Sequence, residues 1–205
     1  MSSCESSVVK IHDQALAPQL FGALQRHAQN ATFAQVISPY DDVEYPDLCV
    51  DIPMWIHVCI RTAIAECMDI HYDEIEIHTQ FFRVTTENTP QAPHGAHNDA
   101  IHGKYSAFFY LNEKPDELDG QVAGTSLLTH KDTGLSHQPH TEEEFECWER
   151  DTNVYDAWRI DEMVFWEPNR LAIYPADRMH RAEPPGGWGE SAVDGRLVLI
   201  TFFSC

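Results

Sequence analysis

The chain has 205 residues, 43% of them apolar, which is enough for one sizeable domain with a buried core. Its 33 acidic and 13 basic side chains leave a formal net charge of −20 at pH 7. That field repels nucleic acid and anionic membranes, so neither is expected as a partner, and any anionic ligand needs a dedicated local cation. No stretch nears the roughly 20 apolar residues that span a bilayer. The start, Met1-Ser2-Ser3-Cys4-Glu5, has neither the basic nor the apolar part of a secretory signal. The six cysteines form no Cys-x-x-Cys pair, so reduced thiols and a cytoplasmic location are expected. Nothing in the sequence sets an oligomeric state.

In chain order, residues 13–27 read as an amphipathic helix. Leu16, Leu20, Phe21 and Leu24 recur at helical spacing, Asp13 is placed to cap the start, and Pro18 falls in the first turn. A second helix is expected over 53–68, with Trp55, Ile56, Cys59, Ile60, Ala63 and Ile64 on a broad apolar face and Cys59 and Cys67 in the core. The pattern then changes to strands: alternating residues over 74–84, a compact apolar run over 105–111, and 125–129 between Gly120, Gly124 and polar residues. A charged helical insert follows over 141–158, opened by Thr141 and Glu144 in capping-box spacing. Strands resume over 162–166, 171–174 and 196–203. Residues 1–72 are therefore read as a helical N-terminal support. Residues 73–205 are read as a jelly-roll core, mainly β, with an insert at about 135–160, the whole chain forming a single domain. Long excursions of that kind are often lids, and this one is expected to close over a small substrate.

The segment that points to chemistry is Pro93-His94-Gly95-Ala96-His97-Asn98-Asp99. In extended backbone, residues two apart face the same side, so His97 and Asp99 can converge on one point. His180, which follows the strand at 171–174, supplies a third ligand. Two imidazoles and a carboxylate on one face are the set that non-haem Fe(II) oxygenases use, with the opposite face left open. Sixteen residues further on, Arg196 begins a strand and shares its face with Val198, Ile200 and Phe202. An arginine on such a face is costly unless an anion partners it. The far carboxylate of 2-oxoglutarate, whose keto acid end chelates iron, would be that anion. Pairing with Asp194 or Glu190 at the surface is the plainer alternative, and Arg178 and Arg181 are the fallback cations.

On these residues the stretch from about Phe82 to Phe203 resembles the Fe(II)/2-oxoglutarate dioxygenase superfamily, nearest its prolyl-4-hydroxylase-like branch. The likeness rests on His97-Asn98-Asp99, the strand through Phe109-Tyr110-Leu111-Asn112, the strand opening at Gly124-Thr125, His180, and Gly195-Arg196-Leu197. It implies a double-stranded β-helix (a cupin-like jelly roll) with Fe(II) held by His97, Asp99 and His180. It also implies Tyr105 or Tyr110 as a hydrogen-bond partner of 2-oxoglutarate, and O2 as oxidant. The activity implied is hydroxylation of an unactivated C–H bond in a peptidyl proline, an amino acid or a small metabolite, with desaturation or cyclisation as other outcomes. Related halogenases lack the carboxylate at the position of Asp99. The chain departs from the pattern in the long insert between Asp99 and His180 and in the Pro184-Pro185-Gly186-Gly187-Trp188-Gly189 segment that widens the spacing to Arg196.

Other readings fit parts of the pattern. A cupin-like metalloenzyme would need no 2-oxoglutarate, and a non-catalytic jelly-roll binding module would need no turnover. A zinc site built from His94, His97 and His102 is the alternative metal centre. His130, His137 and His140 lie in the following loop region, and Phe108, Trp166, Tyr174 and Trp188 are candidates for pocket walls or for core packing.

Overall fold

A computed structural model describes residues 9–37, 44–90, 95–118 and 122–205. Its elements are β1 (Lys10–His12), α1 (Pro18–Gln29), β2 (Ala34–Ile37), β3 (Glu44–Cys49), α2 (Met54–Met68), β4 (Glu76–Thr85), β5 (Tyr105–Tyr110), β6 (Gly124–His130), α3 (Glu142–Asp151), β7 (Trp158–Phe165), β8 (Leu171–Pro175), β9 (His180–Glu183) and β10 (Arg196–Ser204). Two antiparallel sheets form. The larger has the order β1-β8-β5-β10-β4-β3-β2 and the smaller β7-β6-β9. No helix among the described residues is long and apolar enough to cross a membrane.

Strand alternation divides the larger sheet into two working faces. Phe82 and Val84 of β4, Ala107 and Phe109 of β5, and Leu197, Leu199 and Phe203 of β10 turn outward into one core with Leu24 and Ala28 of α1 and Ile56, Ile60 and Ile64 of α2. Each of the larger side chains, the leucines, isoleucines and phenylalanines, contributes roughly 1.5–3 kcal/mol when fully buried. The alternate residues, Phe81, Arg83 and Thr85, Phe108 and Tyr110, and Arg196, Val198, Ile200 and Phe202, turn inward. There they face the smaller sheet across a cavity of about 670 Å³. Both faces of β10 are covered, which explains its almost unbroken apolar sequence.

Several elements differ from the sequence reading. α1 starts at Pro18, not near Asp13, because the residue before a proline is disfavoured in the helical region, and Ala17 is accordingly extended (φ −55°, ψ 145°). Asp13 pairs with Arg170 instead of capping. The first 72 residues are not only helical: β1, β2 and β3 extend the larger sheet on both edges. β3 contains Pro46 and, at φ +59°, Asp47, both poor strand signals. Trp55 of α2 is partly exposed, and Cys59 and Cys67 sit at the margin of the core. The described cysteines are free thiols. β7 begins at Trp158, and β9 is a strand that the sequence pattern does not predict. The capping box at Thr141 and Glu144 forms as expected, with Glu144 N donating to Thr141 Oγ1. Gly120 and His94 lie outside the described residues.

Candidate metal centre

His97 lies on a short extended segment before β5, and His180 opens β9. The two exchange both backbone hydrogen bonds, His97 N to His180 O at 3.0 Å and His180 N to His97 O at 2.8 Å. Their rings therefore leave the backbone side by side, with centroids 4.4 Å apart. Asp99 follows where the chain turns into a short 3-10 segment, its N–H donating to Ala176 O at 2.7 Å. Its carboxylate points back at both imidazoles: Oδ2 is 3.2 Å from His180 Nε2 and Oδ1 is 3.9 Å from His97 Nε2. One ligand atom from each of the three residues lies within 4.8 Å of the others.

The surroundings prepare these atoms to bind a cation. His97 Nδ1 is 3.1 Å from Gly95 O, and His180 Nδ1 is 2.9 Å from Arg178 O. Carbonyl acceptors at Nδ1 place the ring proton there and leave each Nε2 lone pair facing the centre. Burial, and then the adjacent His180, push the His97 imidazole down to about 4, against the opposing pull of Asp99. Burial would raise Asp99, but His180 and His97 outweigh it and hold the carboxylate down to about 2. At neutral pH His97 is neutral and Asp99 ionised, the forms that ligate metal. His180 Nε2 is buried, and with the ring proton on Nδ1 it finds no hydrogen-bond donor among the described residues, only the Asp99 carboxylate, itself an acceptor. An orphaned buried nitrogen is costly unless something else occupies its lone pair.

The insert packs against the ligand segment and forms part of the cavity wall. Ala96 O accepts from Trp148 Nε1 and Thr152 Oγ1, both at 2.7 Å, and Ala96 N donates to Thr152 O at 2.8 Å. Gly95 N donates to Asn153 Oδ1. The residues just before His97 are thus bolted to α3 and the turn after it. Phe145, Trp148, Thr152, Asn153 and Tyr155 line the cavity that opens on the three ligands.

No family model matches the sequence, and no curated protein does. The structure, by contrast, matches solved structures along almost its whole length. The epimerase SnoN, solved with Fe3+, alpha ketoglutarate and nogalamycin RO, aligns over 96% of this chain and 78% of its own, with a TM-score of 0.54 at 11% identity. HygX from Streptomyces hygroscopicus, solved with nickel and 2-oxoglutarate, aligns over 98% and 84%, with a TM-score of 0.56 at 13% identity. A prolyl-4-hydroxylase from Pseudomonas putida aligns over 98% and 94%, with a TM-score of 0.53 at 15% identity. The fold is that of the 2-oxoglutarate–Fe(II) oxygenases.

Within this oxygenase fold, Arg196 and Tyr110 line the same cavity as the histidine pair, on neighbouring strands. The Arg196 guanidinium is buried and forms no ion pair with a carboxylate among the described residues. It donates to the carbonyls of Gly124, Pro184 and Gly186, and the rings of Trp166 and Trp188 lie 5.6 and 5.5 Å from it. Asp194 is occupied by its own turn, accepting from Ser191 and Glu190, so the surface pairing does not occur. Burial lowers the Arg196 guanidinium to about 10. The widened spacing after His180 has a purpose here, since the Pro184–Trp188 stretch supplies two of the carbonyls and one of the rings. Gly124, at φ +144°, brings its own carbonyl to Arg196, and a Cβ there would collide with Val164 O. Tyr110 stacks on Trp166 at 4.4 Å and donates to Thr125 Oγ1 at 2.8 Å. The fallback cations are neutralised: Arg181 by Glu183 at 2.7 Å and Arg178 by Asp161 at 3.4 Å. Tyr105 stacks on Phe203, on the helix side of the sheet.

Sequence reasoning missed Arg83, whose side chain also lines the cavity. The doublet Phe81-Phe82 hides which face of β4 is inward, because both faces are covered. Of the zinc alternative, His94 lies outside the described residues, and His102 stacks on Phe202 at 4.6 Å and is not grouped with His97. Of the candidate aromatics, Phe108 lines the cavity, while Trp166, Tyr174 and Trp188 are buried core. A second cluster, His130, Cys147 and Asp151, ties α3 to the end of β6. Both nitrogens of His130 have partners, Thr133 Oγ1 and Asp151 Oδ2, each at 3.0 Å, so this histidine reads as a clip.

Proposed function

We propose that this protein is an Fe(II)- and 2-oxoglutarate-dependent oxygenase that hydroxylates an unactivated C–H bond of a small metabolite, an amino acid or a peptidyl proline. The observation that carries the proposal is the convergence of His97, Asp99 and His180, with the buried His180 Nε2 facing the Asp99 carboxylate at 3.2 Å. Two imidazoles and a carboxylate on one face fit Fe(II) and leave its other positions accessible. When bound, the iron and 2-oxoglutarate supply an O2-derived oxidant strong enough to break a C–H bond.

The chain's own residues do the rest. His97, Asp99 and His180 would hold the metal in the cavity they line. Arg196, held in place by three carbonyls but not neutralised, takes the far carboxylate of 2-oxoglutarate through its planar fork. Tyr110 donates its proton to Thr125, which leaves the Thr125 hydroxyl hydrogen free to point at the same carboxylate. The insert and the inward aromatic rings exclude water around the reacting carbon. Asp99 would take up a position on the metal that a halide would otherwise need, which favours hydroxylation over halogenation. Because the fold is shared with an epimerase as well as with a prolyl-4-hydroxylase, and fold alone does not set a reaction, products are to be examined for inversion as well as for added oxygen.

The test is anaerobic addition of Fe(II) and 2-oxoglutarate, followed by O2 and a substrate screen. A visible charge-transfer absorption and substrate-triggered succinate release are expected. Metal binding with no affinity for 2-oxoglutarate would instead make the chain a metalloenzyme of another kind. Absence of metal binding would leave a non-catalytic module.

A further inference from the structure

Arg83 stands in the middle of β4, opposite Val198 of β10, while Arg196 stands opposite Thr85. The two arginines are therefore diagonal neighbours on one face of the sheet, and both reach the cavity. Their environments differ. Arg196 is held by backbone carbonyls and flanked by indole rings. Arg83 has no hydrogen bond and no ion pair among the described residues, and its Nε is enclosed without a partner. The acidic groups that act on it are Asp99, which belongs to the metal site, and Asp47, which accepts from Thr89 at 2.8 Å. Tyr45 is its other polar neighbour.

Arg83 is half-buried, and a guanidinium with one enclosed nitrogen and no hydrogen-bond or ion-pair partner among the described residues is an incompletely satisfied cation. It is also unusual in a chain of net charge −20, where acidic side chains are abundant and one more could have paired it. The co-substrate does not account for it. 2-Oxoglutarate brings two carboxylates, one for the metal and one for Arg196, so two cationic centres already satisfy it. Arg83 is a third. The walls near it are apolar, with Phe81, Phe108, Val198, Ile200 and Phe202 on the sheet and Val50 and Ile101 exposed at the mouth.

Resting on the oxygenase reading, we propose that Arg83 is the anchor for a carboxylate on the primary substrate, a small acid with an apolar body. The carboxylate sits on the Arg83 guanidinium and the hydrocarbon part lies against the inward phenylalanines, so that the anchor sets which carbon faces the metal. A net-negative protein admits such an acid because the cavity itself is cationic.

The probes are arylalkanoates of increasing length, from phenylacetate to 6-phenylhexanoate, each beside its own uncharged amide. Binding is followed by ligand-observed NMR on protein loaded with Zn(II) and 2-oxoglutarate, so no turnover is needed. At least one acid is expected to bind about tenfold or more tightly than its amide, the scale of a charge-assisted hydrogen-bond pair. Arg83→Met should erase that preference and Arg83→Lys should keep part of it, with thermal unfolding checking that both variants fold. The proposal is overturned if no acid is preferred or bound, if Arg83→Met keeps the preference, or if that variant weakens 2-oxoglutarate as much as Arg196→Met does, since Arg83 would then serve the co-substrate. The same titrations on protein free of metal and 2-oxoglutarate separate the two readings. Failure to bind 2-oxoglutarate sinks the oxygenase, and loss of an Arg83-dependent acid preference sinks only the anchor.

Discussion

His97 and His180 are backbone partners as well as metal-site partners: each donates its N–H to the other's carbonyl, at 3.0 and 2.8 Å. The separation of the two imidazoles is thus fixed by the main chain, before any metal enters. Asp99 is placed separately, by its own N–H bond to Ala176. The carboxylate can accordingly be removed without disturbing the histidine pair.

Asp99→Gly is therefore expected to lose metal with little loss of structure. Changes one shell further out commonly cost 10- to 100-fold in metal affinity, so a direct ligand should cost roughly 100-fold or more, and native turnover should disappear. A competition titration with a chromophoric chelator reads the affinity, and thermal unfolding of the metal-free protein checks the fold. Undiminished affinity or turnover would remove Asp99 from the ligand set.

Arg196→Met tests the 2-oxoglutarate contact. The substitution removes the cation and leaves the carbonyls of Gly124, Pro184 and Gly186 without their donor. Half-saturation by 2-oxoglutarate should rise about 10- to 100-fold, as for loss of a charged hydrogen-bond pair. Stability should fall by about 1–3 kcal/mol. Succinate yield against 2-oxoglutarate concentration gives the first number and denaturant unfolding the second. A stability loss with an unchanged 2-oxoglutarate response would make Arg196 purely a structural clasp.

Much of this was legible in the sequence because the jelly roll repeats a simple period. The inward row Arg196, Val198, Ile200 and Phe202 could be read directly, and with it the isolated cation. His97 and Asp99 were legible as a pair two residues apart. His180 was placed as a ligand, but the strand it opens was not seen, because four residues carry too little periodicity to distinguish strand from turn. Arg83 was hidden by the Phe81-Phe82 doublet. The anchoring of Ala96 by Trp148 and Thr152 was invisible, since contacts between distant residues leave no mark on local spacing. The short edge strands β1 and β2, and β3 beside β2, form because the larger sheet offers them partners, a tertiary effect that propensity does not encode.

The acid limb of stability should report the His97 environment. Unfolded, that imidazole titrates at its ordinary value of 6.5; folded, burial brings it down to about 4. Between those values the unfolded chain holds a proton that the folded chain does not. The contribution is therefore complete above about pH 6.5 and is lost as the pH falls toward 4. Asp99, held down to about 2 from 3.8, adds a further loss of the same sign at still lower pH. Metal-free protein and its His97→Gln variant, melted at a series of pH values, should differ in slope between pH 6.5 and 4, with the variant flatter. Parallel curves would mean that the folded imidazole is protonated normally.

The last prediction concerns Trp148, which sits on α3 and donates to Ala96 O at 2.7 Å. If the insert were only a cover, weakening this bond would change substrate binding and leave the metal alone. Because Ala96 immediately precedes His97 and shares its carbonyl between Trp148 and Thr152, the bond instead sets the position of a ligand. Trp148→Phe keeps most of the packing and deletes the donor. It should lower stability by about 1 kcal/mol and metal affinity by about tenfold, the lower end of what supporting residues contribute. Calorimetric titration with Zn(II), beside thermal unfolding of the metal-free variant, separates the two effects. A fall in melting temperature with metal affinity unchanged would show that the insert braces the fold without reaching the metal centre.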